Sequence, residues 1–221
     1  GPFTYQWRRD GVPVAGGTGA TLTLPSAQAA DAGVYDVVVT NVAGSVVSGA
    51  ARVAVNSPVV IVTQPQPLAL NPGGSGVLSV AVEGTAPLAY QWRRDGVVIP
   101  GATGAVFAIA NAQTVDAGSY DVVVGNVVGS VVSNAAAVSV NTPITFLAQP
   151  VGAQVNAGTS VSFTVAANGT EPIVYQCFRN GVPIANATST TLAFESVKAA
   201  DAGVYEVTES NVVGSVASEA V

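Results

Sequence analysis

Short runs of alternating apolar and polar residues, broken by Gly, Pro, Asn or Asp, cover the chain from end to end. "GVLSVAVEG" (76–84), "PLAYQWRR" (87–94), "AVFAIA" (105–110), "GSYDVVVGN" (118–126) and "GSVVSNAAAVSV" (129–140) are rich in β-branched residues and predict strands. No window of adequate length returns its apolar residues at helical spacing. Asp95-Gly96 in "RRDGV" and Asn180-Gly181 in "RNGV" stand between apolar runs. Such dipeptides accept the positive φ that a tight hairpin needs. The pattern predicts an all-β, antiparallel chain.

The pattern also repeats. "DAGVYDVVVTNVAGSVVS" (31–48) returns as "DAGSYDVVVGNVVGSVVS" (116–133) and as "DAGVYEVTESNVVGSVAS" (201–218). Trp7, Trp92 and Cys177 keep one step, since 92 − 7 = 85 and 177 − 92 = 85. Asp31, Asp116 and Asp201 keep it, as do Tyr35, Tyr120 and Tyr205, and Asn41, Asn126 and Asn211. Pro58 and Pro143 follow it, and so do Gln64-Pro65 and Gln149-Pro150. The step is longer than the roughly 20–50 residues of a solenoid turn. It approaches the roughly 100 residues of a β-sandwich domain. Length alone allows one or two domains; the repeat overrides that and predicts tandem small ones. Residues 1–55 are expected to be a repeat without its opening strands, and 56–140 a complete repeat. Residues 141–221 are expected to lack only the end of the last strand, the chain being a piece of something longer. The joins "VAVNSP" (53–58) and "VSVNTP" (138–143) are short and stiffened by Pro, so a segmented rod is expected.

In each copy Asp-Ala-Gly-x-Tyr-x-Val is followed by Asn-x-x-Gly-Ser. This resembles the F strand and F–G turn of immunoglobulin-like domains, where the motif ends on Cys rather than Val. Val37, Val122 and Val207 stand at that position. Val80 and Val165, twelve residues before Trp92 and Cys177, match the family's first cysteine, and Trp7 and Trp92 match its core tryptophan. The chain looks most like the bacterial immunoglobulin-like repeats of large secreted or surface proteins. The resemblance implies tandem immunoglobulin-like β-sandwiches without the intersheet disulfide. It implies a corner at Tyr35, Tyr120 and Tyr205, each hydroxyl bonding back to the chain upstream. It also implies an extracellular or cell-surface location. Two facing valines contribute roughly 1.5–3 kcal/mol each through burial, comparable to the roughly 2–4 kcal/mol of a disulfide.

The third copy departs, with "YQCFRN" in place of "YQWRRD". Cys177 alone cannot fill a tryptophan-sized space, and the neighbouring Phe178 should point to the opposite face. A rearranged or looser third core is expected. Cys177 reads as buried and structural, because no His and no nearby Lys would activate it.

Composition narrows the function. Lys plus Arg is 7 against 13 for Asp plus Glu, a net charge of −6. No basic stripe exists to displace counterions from nucleic acid, nor to bind an anionic membrane. No stretch reaches the roughly 18 apolar residues of a membrane span, so no membrane insertion is expected. The shortage of Lys and wealth of Ala, Val, Gly and Thr fit a bacterial product. With one cysteine an intrachain disulfide is impossible, and with no His neither catalytic triads nor histidine metal sites can form within these residues.

Other chemistry is equally sparse, and no catalytic residue, cofactor or metal is expected. Asp31, Asp116 and Asp201 precede the F strand, where Asp bonds local N–H groups. Asp36, Asp121 and Glu206 should face solvent. "GGTG" (16–19) and "GATG" (101–104) lack the Lys and helix of a phosphate cradle and read as loops. No acidic cluster supplies the six to eight oxygens that calcium takes. Arg8-Arg9 and Arg93-Arg94 read as outward guanidinium groups packed along a sheet, the sharper reading being a ligand patch. Asn168-Gly169-Thr170 and Asn186-Ala187-Thr188 match the glycosylation sequon.

If Val37 and Val39 face the core, Val38 and one of Val46 and Val47 face outward, and Val123 repeats Val38. Merged outward valines mark a contact surface. The expected function is therefore structural: a non-catalytic segment of a long extracellular bacterial protein, forming a stalk or self-associating into a filament. An adhesin or carbohydrate-binding array, with a surface glycan or protein ligand, is the alternative; at 6% aromatics little remains to build its platform. A spacer within a large secreted enzyme is the third.

Overall fold

The computed structural model describes Gly1–Val221. It is all-β apart from three one-turn 3-10 helices, Ala29–Asp31, Thr114–Asp116 and Ala199–Asp201. Two compact units are distinguished. One holds Gly1–Thr63, Ala81–Tyr90 and Val123–Ser133; the other holds Gln64–Val80, Gln91–Val122 and Asn134–Val221. Both take residues from the span 56–140.

In the first unit the Thr4–Arg9 strand pairs antiparallel with Gly33–Asn41, placing Trp7 opposite Val37. Gly33–Asn41 also pairs with Gly44–Val47 and Ala51–Val53. Residues 1–55 contain no strand corresponding to Leu68–Leu70 or Gly76–Ser79. Trp7 and Val37, expected in a core, are half-buried.

In the second unit Gly76–Ser79 pairs with Val106–Ile109. Ala136–Val140 joins Gly118–Tyr120 antiparallel and Leu68–Leu70 parallel. Trp92 and Val122 are fully buried and Val80 nearly so. Alternation along Gly118–Val122 sends Tyr120 and Val122 inward. The hairpin turn has φ of 51° at Asp95 and 78° at Gly96, and Asp10-Gly11 and Asn180-Gly181 repeat this geometry. It is the primed turn whose twist suits paired strands.

The third repeat has two layers. Thr145–Ala148 with Ala166–Asn168, and Val161–Thr164 with Thr191–Phe194, form one. Val174–Arg179, Tyr205–Ser210 and Ser215–Ala217 form the other. Val165, Cys177 and Val207 make one buried cluster between them, with Phe146, Tyr175, Ile184, Ala187 and Leu192 against it.

Two expected strands are each split. The run 76–84 breaks at Val80, whose N–H donates to Ala105 O (3.0 Å) as its side chain turns inward. The run 129–140 breaks between Val132 and Ala136, where the Gln64 Oε1 accepts from the Asn134 N–H at 2.8 Å. The Gln149 Oε1 does the same for the Glu219 N–H at 3.0 Å. A side chain therefore supplies the acceptor that a continuous ladder would have supplied.

Candidate functional site

The repeat-locked residues hold the sandwich together. Each 3-10 turn closes with an aspartate that accepts from a backbone N–H: Gln28 to Asp31, Gln113 to Asp116 and Lys198 to Asp201, all at 2.8 Å. The hydroxyls of Tyr35 and Tyr120 donate to the carbonyls of Asp31 and Asp116 at 2.8 Å, and Tyr205 donates to Asp201 O. The loops "GGTG" and "GATG" turn carbonyls toward the tryptophans. Trp7 Nε1 donates to Gly19 O (3.0 Å) and Trp92 Nε1 to Gly104 O (2.9 Å).

The asparagine of the repeated phrase is a junction. Asn126 Nδ2 donates to Ser57 O (2.8 Å) and Thr85 O (3.0 Å), while its Oδ1 accepts from the Val128 and Gly129 N–H groups. Asn211 repeats all four bonds, with Thr142, Thr170, Val213 and Gly214. One side chain thus satisfies groups from three separate chain segments, and only an amide has both the donors and the acceptor for it.

The outer face differs from expectation in its acids. Asp36 and Asp121 are not simply solvated: each is held bidentate by an arginine across the sheet. Arg8 Nε and Nη2 lie 2.7 and 2.9 Å from the Asp36 oxygens, and Arg93 lies at the same distances from Asp121. The hydrogen bonds from Arg8 hold the Asp36 carboxyl below the usual aspartate range, and Asp36 and Asp121 raise their arginines. In the third repeat Phe178 takes the arginine's place, opposite Glu206. Val38 and Val123 are half-buried on the outer face, opposite Val47 and Val132. Both partners are about half exposed. The third repeat has Thr208 opposite Ala217 at the same place, so the apolar pair belongs to the first two copies.

The third core is rearranged. One step back from Cys177 and Leu192 lie Trp92 and Phe107; one step back from Phe163 and Phe194 lie Leu78 and Ile109. Aromatic bulk has moved from one pair of positions to the other. Trp92 meets Phe107 at 6.0 Å, whereas Phe163 and Phe194 pack on Tyr205 at 4.9 and 5.8 Å. A small pocket beside these rings is lined by Cys177, Phe163, Leu192 and Tyr205. Burial pushes the Cys177 thiol up, away from thiolate.

No group of three or more His, Cys, Asp or Glu side chains is placed to hold a metal ion. Sequence reasoning passed over Glu209, which is completely buried with neither carboxylate oxygen hydrogen-bonded. Its signal was available, because "YEVTESN" carries Glu at the place where "YDVVVGN" carries Val.

Repeated β-sandwiches with a tyrosine-to-aspartate corner are the architecture of immunoglobulin-like domains. The sequence profile of the immunoglobulin I-set domain matches residues 59–140 and 144–221, and the chain belongs to that family. Its members are generally non-catalytic structural or binding modules. The decoration protein of Escherichia phage T5 is 54% identical over 41 residues, 19% of this chain and 25% of that protein. The chain spans between 4% and 25% of the curated relatives it matches. Among solved structures, titin domains I67–I69 align with a TM-score of 0.67 at 21% identity, over 98% of this chain and 86% of theirs. Three N-terminal domains of the bacteriophage RB49 highly immunogenic outer capsid protein align at 0.53 with 20% identity, over 100% of this chain and 86% of theirs. These likenesses concern the fold. No helix is long and apolar enough to cross a membrane.

Proposed function

We propose that the chain is a structural, non-catalytic tandem segment of a long extracellular bacterial protein, its repeats bounded at 1–55, 56–140 and 141–221. The segment spaces other parts of that protein and associates laterally with identical chains. The observation that supports this reading is where the repeated side chains are used. Asp31, Tyr35, Asn126 and their counterparts bond to backbone groups of their own sandwich, which leaves the outer face as the surface for contacts. On that face the pairs Val38–Val47 and Val123–Val132 form the apolar contact.

Light scattering of the full chain, wild type against Val38→Lys plus Val123→Lys, tests it. A concentration-dependent rise in mass is expected for the wild type and a monomer for the variant. A monomer in both would end the assembly reading. The glycan-binding alternative is disfavoured because Phe3 is the one aromatic among the strongly exposed large hydrophobic side chains. A second reading, attachment to a phage particle surface, rests on the short stretch shared with the phage T5 decoration protein. Co-sedimentation with capsids would support it over the first.

A further inference from the structure

The Tyr205–Ser210 strand buries an acid where its counterparts bury valine. Glu209 falls on Val124 and Val39, since 209 − 85 = 124 and 124 − 85 = 39. Val124 is fully buried, and Glu209 is equally so at 0% exposure. Alternation sends Tyr205, Val207 and Glu209 to one face and Glu206 to the other. Glu209 stands opposite Tyr175 on one neighbouring strand and Val216 on the other, and both of its oxygens lack a hydrogen-bond partner.

No positive group answers this carboxyl. Thr145–Ala148, Ala166–Asn168 and Ser215–Ala217 carry no ionisable side chain. Val174–Arg179 carries Tyr175, Cys177 and Arg179, and burial raises the Cys177 thiol, so it adds no positive charge. Arg179 stands opposite Tyr205, four residues and so about 13 Å along the strand from Glu209, and is engaged by Asp201 and Ala200 O. Lys198 precedes the 3-10 turn, before the strand begins. Glu171, which also acts on Tyr175, turns its carboxylate to the Ile173 N–H at 3.0 Å. Burial raises the Glu209 carboxyl above the usual range, and raises the Tyr175 phenol with help from Glu209. An isolated buried carboxyl of this kind takes up a proton rather than remain charged.

We propose that Glu209 makes the third repeat a pH-sensitive element, closed around the neutral acid and loosened when rising pH removes its proton. The sign follows from linkage. The folded repeat holds the proton more tightly than the unfolded chain, so the contribution is complete below the ordinary glutamate range. It declines as pH rises above that range, until the folded state also ionises. Within that window the folding equilibrium shifts at most about tenfold per pH unit.

The chain carries its own local probe. Cys177 is the sole cysteine and lies in the core of this same repeat. The full chain is labelled with 4,4′-dithiodipyridine between about pH 4 and about pH 8, and each rate is divided by the rate in urea at that pH. Division removes the ionisation of the thiol itself. Protection of wild-type Cys177 should fall by up to about tenfold per unit above the glutamate range. Protection in Glu209→Val and Glu209→Gln should stay level. Valine is what the second repeat holds at this place, and glutamine serves should the valine variant misfold. Level protection in the wild type, or an equal fall in the variants, would overturn the proposal.

Discussion

Moving the third repeat's core into the second tests whether aromatic bulk can migrate within this sandwich. Trp92→Cys alone removes a fully buried indole, its bond to Gly104 O and its contact with Phe107. Truncations of this size cost about 3–5 kcal/mol, and the lost hydrogen bond costs about 1 kcal/mol more. That is a large part of the roughly 5–15 kcal/mol that stabilises a domain. The third repeat tolerates cysteine there because Phe163 and Phe194 pack on Tyr205. Each such ring pair adds about 0.5–1.5 kcal/mol beyond burial. The set Trp92→Cys, Phe107→Leu, Leu78→Phe and Ile109→Phe returns less volume than the indole removes, so it should recover only part of that loss, about 0.5–1.5 kcal/mol for each new ring pair. Amide hydrogen exchange across Gly118–Gly125, followed by mass spectrometry, reads this repeat separately from its neighbours. Exchange in the fourfold variant as fast as in Trp92→Cys alone would refute the compensation.

Two further outcomes follow from hydrogen bonds. Asn126→Ala removes four bonds that no other side chain replaces, and a loss of about 1–3 kcal/mol is expected in urea unfolding, with Asn211→Ala similar in the third repeat. Asp36 is depressed by Arg8, so the pair's contribution is present above the ordinary aspartate range and is lost as pH falls through the lowered folded value. Melting temperatures followed into acid should drop less in Asp36→Asn than in wild type; identical profiles would remove the ion pair from the account.

The period-two alternation and the unbroken step between copies determined the fold class, the strand faces and the hairpin turns. These are local properties: a strand exposes alternate residues whatever it pairs with, and Asp-Gly accepts positive φ wherever it stands. That Trp92 and Val122 lie inside was implied by the resemblance to immunoglobulin-like domains, because alternation separates two faces without saying which one is covered. Cross-strand partners could not be assigned, because residues far apart in sequence meet only after the layers close. The grip of Arg8 on Asp36, the four bonds of Asn126 and the acceptor that Gln64 lends to Asn134 all join distant segments. Glu209 shows the division most clearly. Its letter was visible in the third copy, but only packing withdrew it from water, and desolvation is what raises its carboxyl above the ordinary range.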